Sequence, residues 1–153
     1  MDTTLKISKI KDGTVIDHVP AGVAFKVLSI LKIDELHEDS VSLGIRVPSG
    51  KMGQKDVIKI ENRYLERLEV DKISFVAPMA SISIVRDYNI TEKYAVEIPE
   101  KILGIIRCIN PNCITNAKEP VSSEFDIVTK SPIVIRCAYC ERSMNEREIL
   151  QNL

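Results

Sequence analysis

The sequence predicts an α+β fold in two parts, and three features indicate it. Between residues 13 and 96, segments with the two-residue alternation of strands are interleaved with segments of helical spacing. All four cysteines follow residue 107, among short strand-like segments. Residues 97–101 separate the two regions, because Pro99 cannot donate a hydrogen bond to a sheet and the hydrophobic period restarts after it. We therefore expect one domain over residues 1–98 and another over residues 99–153.

The elements of the first region are assigned from these periods. A helix is expected over residues 21–33, because Val23, Val27 and Leu31 form one apolar row. The other expected elements are strands over residues 5–11, 14–19, 41–47, 55–61, 81–86 and 90–96 and a helix over residues 64–74. The order strand, helix, strand, strand, helix, strand is typical of a ferredoxin-like split βαβ sandwich, an antiparallel sheet with two helices on one face. Because an unpaired sheet edge invites a second chain, we also expect a homodimer.

Alternation also predicts which side chains share a face of the sheet. In the strand over residues 14–19, one face is expected to carry Val15, Asp17 and Val19. The strand over residues 41–47 is expected to have an inner face of Val41, Leu43, Ile45 and Val47. In the strand over residues 55–61, one face would carry Asp56, Ile58 and Ile60 and the other Lys55, Val57, Lys59 and Glu61. Lys55 and Lys59 would be separated by roughly 13 Å. With Lys93 from a neighbouring strand they would hold a polyphosphate, although an ordinary solvated face also explains this spacing.

The cysteines form two close pairs, Cys108 with Cys113 and Cys137 with Cys140, with 23 residues between the pairs. This spacing is typical of a tetrahedral zinc site with four thiolate ligands. Four protein ligands leave no position for water, so the metal would be structural. Disulfides and scattered free thiols are the alternatives. We expect neither, because the sequence has no secretory signal and two close pairs rarely arise by chance.

The second region is expected to form a small all-β zinc ribbon. Its predicted elements are antiparallel strands over residues 102–107, 125–129 and 133–136 and a final turn or short helix over residues 146–150. Residues 101–153 contain seven Lys and Arg against six Asp and Glu, and a metal with four thiolates adds negative charge. This balance suits docking to another protein better than binding a phosphate backbone. A zinc-ribbon protein that binds nucleic acid is the alternative.

Composition excludes several further classes. The chain has 153 residues, 44% of them hydrophobic, and a net charge of −1, so it has no global basic field. No apolar run reaches the roughly 18 residues of a membrane span, and we expect a cytoplasmic protein. Residues 48–55 contain glycines and lysines but lack the order of a phosphate-binding loop. With the cysteines assigned to metal, no nucleophile accompanies either histidine, so we expect no catalysis.

Four stretches together resemble the regulatory chain of aspartate carbamoyltransferase. They are residues 13–20 (GTVIDHVP), 48–62 (PSGKMGQKDVIKIEN), 119–123 (EPVSS) and 137–141 (CAYCE). The resemblance runs nearly end to end. It implies a nucleotide-effector domain followed by a zinc domain that grips the catalytic chain, in an assembly of two catalytic trimers bridged by three regulatory dimers. In that family CTP generally inhibits, ATP activates and UTP acts alongside CTP, and all compete for one site.

The resemblance also implies roles for individual residues. At the effector site, the base would be surrounded by Val85, Tyr88 and Ile90, and base and ribose would be bordered by Ile7 and Ile10. Asp17 would bind the ribose hydroxyls, and Lys59 would reach the base or the ribose. The phosphates would be faced by Lys55, Lys93 and His18. The implied contacts to the catalytic chain are Asn110, Asn112, Glu141 and Arg142. Some family members have an acidic residue where Ser8 stands and an Asn where Ser83 stands. These two differences affect which base is preferred and whether a second nucleotide binds with the help of a metal ion. A nucleotide-sensing domain joined to an unrelated docking module is a further alternative.

Overall fold

The computed structural model describes residues 9–118 and 121–153. The chain divides into two compact units, with the boundary between Glu97 and Ile98. Within the described residues, the first unit is a five-stranded antiparallel sheet with two helices, and the second is a four-stranded antiparallel sheet with one helix. This is the predicted α+β class.

The first unit has the connectivity expected from the sequence. Its elements are strands β1 (Gly13–Pro20), β2 (Val41–Ser49), β3 (Gly53–Glu61), β4 (Ser81–Arg86) and β5 (Asn89–Ala95) and helices α1 (Ala24–Ile30) and α2 (Arg67–Val76). The sheet order is β2-β3-β1-β4-β5, and each neighbouring pair is antiparallel. The first four strands thus form the split βαβ arrangement. β5 extends the sheet beyond β4.

One face of this sheet is buried and the other is open. The buried face joins the apolar rows of both helices in a core that includes Ile16, Ile58, Ile60, Ile82, Val27 and Ile73. The alternation predicted for β3 is confirmed, since Asp56, Ile58 and Ile60 are buried while Lys55, Val57, Lys59 and Glu61 are only partly covered. Side chains on the open face are therefore available to a ligand.

The predicted face of β1 is wrong at Val19. The pairing of β1 with β3 shifts register between Ile16 and Val19, and His18 in this bulge has a φ of 57°. Val19 is fully buried and pairs with Asp56, on the same face as the pair formed by Ile16 and Ile58. The extra residue of a bulge inverts the alternation, which a two-residue period cannot anticipate.

The predicted inner row of β2 is wrong at Val47, whereas Val41 and Leu43 lie on the core side as predicted. A register shift between Gly44 and Val47 moves Val47 to the open face of the sheet. Leu43 pairs with Ile58 on the core side, yet it is 36% exposed, and Ile45 is 38% exposed. β2 lies at the sheet edge, where it has a neighbouring strand on one side only.

The helices are found where predicted, but their ends differ. α1 is shorter than residues 21–33, because Val23 first closes a turn onto Pro20 and Lys32 adopts a left-handed φ of 57° after the last turn. α2 starts after Glu66, which forms a capping box with Glu69. Of the strand predicted over residues 5–11, residues 9–11 are not in a strand and residues 5–8 lie outside the described range.

The second unit contains strands β6 (Lys101–Leu103), β7 (Glu124–Lys130), β8 (Ile133–Cys137) and β9 (Ser143–Asn145) and helix α3 (Glu146–Gln151), in the sheet order β6-β7-β8-β9. β6 is shorter than predicted because Gly104 turns the chain with a φ of 67°. β9 has three residues, too few to show a period. The core of the unit is formed by Ile102, Phe125, Ile135, Met144 and Ile149. In the part of the chain that the structure describes, no helix is long and apolar enough to cross a membrane.

Candidate metal centre and ligand pocket

The four cysteine sulfurs of the second unit converge on one point. They all lie within 4.8 Å of one another. The Cys108 and Cys140 sulfurs are 3.6 Å apart, and those of Cys113 and Cys137 are 3.7 Å apart. Four sulfurs placed tetrahedrally around zinc, each at about 2.3 Å from the ion, would be about 3.8 Å apart. The cage therefore fits a tetrahedral metal ion, and its sulfurs are too far apart for disulfides, whose bonds are about 2.0 Å long.

Hydrogen-bond donors favour the thiolate at two of the four cysteines, Cys113 and Cys140, whereas burial raises the pKa of Cys108 and Cys137. Burial alone raises the pKa of Cys140, but the backbone N–H of Arg142 and the side chain of Asn110 outweigh it and lower the pKa to about 7. Burial also raises the pKa of Cys113, yet bonds from Thr115 bring it below its usual value, and the Thr115 hydroxyl lies 3.2 Å from the sulfur. These donors orient the Cys113 and Cys140 sulfurs and stabilise their negative charge.

The four residues expected at a protein interface lie beside this cage, in different roles. Asn112, Glu141 and Arg142 are exposed. Asn110 is partly buried, and its side-chain oxygen accepts a hydrogen bond from the backbone N–H of Asn112 at 3.0 Å. Asn110 thus helps to build the knuckle. Exposed apolar side chains that the sequence did not single out, Ile114 and Tyr139, occur in the same loops.

A pocket of about 740 Å³ opens on the uncovered face of the first unit's sheet. Its lining residues are Lys9, Ile10, Val15, Asp17, Val47, Pro48, Val57, Lys59, Ser83, Val85, Tyr88, Asn89, Ile90 and Lys93. The lining combines apolar side chains with lysines. A cavity of this size and mixed character suits a small organic anion.

Asp17 is the carboxylate of the pocket, and it is held by two neighbours. Its side chain lies 2.9 Å from the Lys55 ammonium and accepts the backbone N–H of His18 at 2.6 Å. Burial by itself raises the pKa of Asp17, but these two hydrogen bonds outweigh it and the pKa lies below its ordinary value. The His18 ring turns towards the Ser81 hydroxyl, with Nδ1 and Oγ 3.2 Å apart.

Lys59 lies on the same open face of the sheet, opposite Val15 in the pairing of β3 with β1. Burial lowers its pKa, Asp17 opposes this shift, and the positive charge of Lys9 lowers the pKa further. The net effect is a pKa below the usual value. Four lysines, at positions 9, 55, 59 and 93, line or adjoin the pocket against the carboxylate of Asp17.

Most of the residues implied for an effector site share this cavity. Those that line it are Ile10, Asp17, Lys59, Val85, Tyr88, Ile90 and Lys93. Lys55 and His18 adjoin it through their bonds to Asp17. Ile7 lies outside the described residues, as does Ser8.

Some lining residues were missed. Val15 and Val57 were predictable, because they share strand faces with Asp17 and Lys59. Val47 and Pro48 were not, since the bulge in β2 turns Val47 onto the open face.

Comparison with known proteins decides the family. A family model described as the aspartate carbamoyltransferase regulatory chain, allosteric domain, matches residues 5–97, and the metal binding domain of the same chain matches residues 100–150. The chain belongs to this family of regulatory chains. Similar relatives, each named aspartate carbamoyltransferase regulatory chain, come from Thermoplasma acidophilum (58% identity), Thermoplasma volcanium (59%) and Pyrococcus abyssi (53%). Their alignments cover 97–98% of this chain and 98–99% of theirs.

Membership of the family fixes the coarse function. The chain is a regulatory and non-catalytic subunit of aspartate carbamoyltransferase, an enzyme of pyrimidine biosynthesis, and its partner is the catalytic chain. It has an allosteric domain and a metal-binding domain, and the four-cysteine cage of the latter holds a structural metal.

Proposed function

We propose that the pocket on the open sheet face binds nucleoside triphosphate effectors, and that their binding controls the catalytic chain through the metal-binding unit. One observation carries the proposal: lysines, a carboxylate and an apolar wall surround a single cavity of about 740 Å³. A triphosphate needs several cations, a ribose needs a hydrogen-bond acceptor, and a base needs an apolar slot. CTP as an inhibitor, ATP as an activator and UTP acting with CTP are the expected ligands.

The roles proposed for the individual residues follow the three parts of a nucleotide: base, ribose and phosphates. Val85, Tyr88 and Ile90 form the slot for the base, bordered by Ile10, and Asp17 accepts the ribose hydroxyls. The role of Ile7 beside base and ribose stays a prediction from the resemblance. Lys59 contacts the base or the ribose. Lys55, Lys93 and His18 face the phosphates, with the lysines acting as mobile point charges.

The metal-binding unit, proposed over residues 99–153, carries Zn²⁺ and docks on the catalytic chain. Thiolate ligands with near-tetrahedral spacing support zinc over harder metals. The exposed side chains of Asn112, Glu141 and Arg142, with Asn110 beneath them, are the proposed contacts. The metal fixes the backbone that presents them.

Control requires a coupling free energy and no chemistry on this chain. An effector shifts the enzyme between two quaternary states only by its different affinities for them, typically about 1–3 kcal/mol. We further propose that two regulatory chains pair through the edge strand β2, where Leu43 and Ile45 remain 36% and 38% exposed.

Calorimetric titration of the intact chain with CTP and ATP tests the pocket. Lys93→Gln should weaken the binding of either nucleotide by about tenfold, because it removes one charge-assisted contact. Lys26→Gln, an exposed change on α1, should leave binding unchanged. Equal affinities of the wild type and Lys93→Gln would contradict the assignment of Lys93 to the phosphates.

Mixing the chain with isolated catalytic trimers, and measuring the mass of the product by light scattering, tests the partner. A large complex should form, and Arg142→Ala should weaken it. Failure to associate, together with salt-dependent binding of RNA or DNA, would favour the nucleic-acid alternative. Nucleotide binding without association would favour a sensor joined to another docking module.

A further inference from the structure

Lys59 differs from the other lysines of the sheet unit in its surroundings. It projects from the middle of β3 among pocket residues that include the aliphatic Val15 and Val57. The charged groups that act on it are Asp17 on β1 and Lys9 before β1, while Lys93 on β5 lines the same pocket and Lys55 adjoins it through Asp17. Burial and the charge of Lys9 lower its pKa, against the opposing effect of Asp17.

These surroundings combine two requirements for a reactive amine. Partial burial beside another cation, here Lys9, raises the fraction of lysine that is neutral and therefore nucleophilic. The neighbouring lysines also concentrate anions in the cavity, since a cleft lined by one sign of charge raises the local concentration of oppositely charged molecules. A small electrophile that carries a phosphate would therefore be held next to an amine whose neutral fraction is raised.

We propose that Lys59 is a modification site, acylated by acyl phosphates that enter the pocket. The neutral Nζ forms a bond to the carbonyl carbon of the acyl phosphate. The bond from that carbon to the bridging oxygen breaks, inorganic phosphate leaves with the electron pair, and the nitrogen loses one proton to water. The product is an amide, and no oxidant or metal is needed. The proposal rests on the anion binding assigned to the pocket under the proposed function.

Acylation would desensitise the chain to its effectors. It removes one positive charge from the cavity and adds an acyl group to a wall that faces the ligand. Nucleotide and acyl phosphate compete for the same cations, so a bound nucleotide protects Lys59. The modification would therefore accumulate when effectors are scarce.

The test uses the intact chain with acetyl phosphate and follows the acetylation of each lysine by peptide mass spectrometry. Lys59 should react at least about tenfold faster than the exposed Lys26, the lower end of the enhancement expected from a charge-lined cleft. N-acetoxysuccinimide, which carries no phosphate, should show a smaller preference for Lys59. Lys93→Gln should slow acetylation of Lys59 by acetyl phosphate only, and Lys130→Gln, an exposed change in the second unit, should slow neither reaction.

Equal rates at Lys59 and Lys26, or no effect of Lys93→Gln, would overturn the proposal. Calorimetric titration of the same protein with CTP tests nucleotide binding independently of the acylation of Lys59. If CTP binds and Lys59 is inert, only the acylation fails. If Lys59 is selectively acetylated but CTP neither binds nor protects it, acylation stands and the nucleotide assignment fails.

Discussion

Asp87 and Tyr88 adopt left-handed backbone conformations at the rim of the pocket. They form the two-residue turn between β4 and β5, with φ values of 49° and 65°. Such a turn requires positive φ at both positions and favours Asn or Gly, so a tyrosine there is strained by about 1–2 kcal/mol. The Tyr88 backbone N–H donates to the Lys11 carbonyl at 2.8 Å, which helps to hold the turn. Strain of this kind is characteristic of ligand sites.

Replacing Tyr88 by glycine should separate stability from binding. We expect Tyr88→Gly to change the free energy of unfolding by less than about 1 kcal/mol, because relief of the strain offsets the greater freedom of glycine in the unfolded chain. CTP affinity should fall at least about tenfold with loss of the ring. Urea unfolding and calorimetry measure the two effects. Lys32→Gly is the matched control, with a φ of 57° away from the pocket, and should leave affinity unchanged.

Asp17 should make stability depend on pH in the acid range. Its pKa is lower in the folded chain than the ordinary value of 3.8, so folding favours the carboxylate. The resulting stabilisation is complete above about pH 5 and disappears as the pH falls through the folded pKa. Asp17→Asn should therefore cost stability at pH 7 and little at pH 2. Urea unfolding from pH 2 to 7 measures this, and the same pH dependence in the wild type and Asp17→Asn would contradict it. Asp126→Asn is an exposed control.

At the scale of elements, Asp56 joins three segments of the first unit. One carboxylate oxygen accepts the backbone N–H groups of Gly22 at 2.8 Å and Ala24 at 2.9 Å, at the start of α1. The other accepts the N–H of Arg46 at 2.9 Å, within the bulge of β2. Asp56 is fully buried and also pairs with Val19, directly after the bulge of β1. A single side chain therefore satisfies the backbone donors that the helix start and the β2 bulge leave unpaired.

Removal of the Asp56 carboxylate should weaken the structure at all three of the backbone N–H groups that it binds. Asp56→Ala leaves three backbone donors without their partner, one buried and two partly buried, and should destabilise the unit by about 3–5 kcal/mol. Hydrogen exchange should show faster exchange at the amides of Gly22, Ala24 and Arg46. Asp39→Ala, a change in an exposed loop, is the control. Unchanged protection of the Arg46 amide in Asp56→Ala would show that the bulge does not depend on it.

Gly13 makes possible the close approach of β1 and β3. A Cβ atom there would lie 2.0 Å from the Ile60 carbonyl oxygen, at a φ of 145°. Gly13→Ala should therefore cost more than about 4 kcal/mol, since backbone on both strands must move. Gly53→Ala, with a φ of 77° but open space around it, should cost only about 1–2 kcal/mol. Chemical unfolding followed by circular dichroism compares the two, and similar losses would rule out the steric explanation.

At the scale of the whole molecule, each unit has its own means of stabilisation. The first has a core of sheet and helices, whereas the second is small and its sheet ends at the cysteine cage, with Cys137 itself in β8. Modules of this size commonly need their metal to fold.

Chelation of the metal should therefore unfold the second unit and spare the first. Hydrogen exchange should show loss of protection at the Ile135 amide and retained protection at the Ile58 amide. CTP affinity should persist, while association with catalytic trimers is lost. Cys140→Ser should reproduce the effect, and Ser143→Ala, next to the same knuckle, is the control. An Ile135 amide that stays protected after complete removal of the metal would contradict a structural role for the metal.

The residues of the candidate site were accessible from the sequence to different extents. The cysteine cage could be predicted from the sequence, because short spacings and thiolate chemistry admit few arrangements of the ligands. The meeting of Lys59 and Lys93 on one face depended on alternation in stretches of β3 and β5 that are regular where these residues lie, whereas Asp17 lies at the bulge of β1. Val47 and Val19 were placed on the wrong face, since a bulge depends on the partner strand and leaves no mark in the period.

The sequence by itself determined the order of the helices and of strands β1 to β8, the α+β class, the metal ligands and, through the resemblance, the family. Local periodicity and short-range spacing encode these features. Only the tertiary structure decided which strands are bulged, that Asp56 ties them to α1, that Leu43 and Ile45 stay partly exposed on an edge strand, and that the lysines surround one cavity. These depend on contacts between residues far apart in the chain, where packing and hydrogen bonding override local preference.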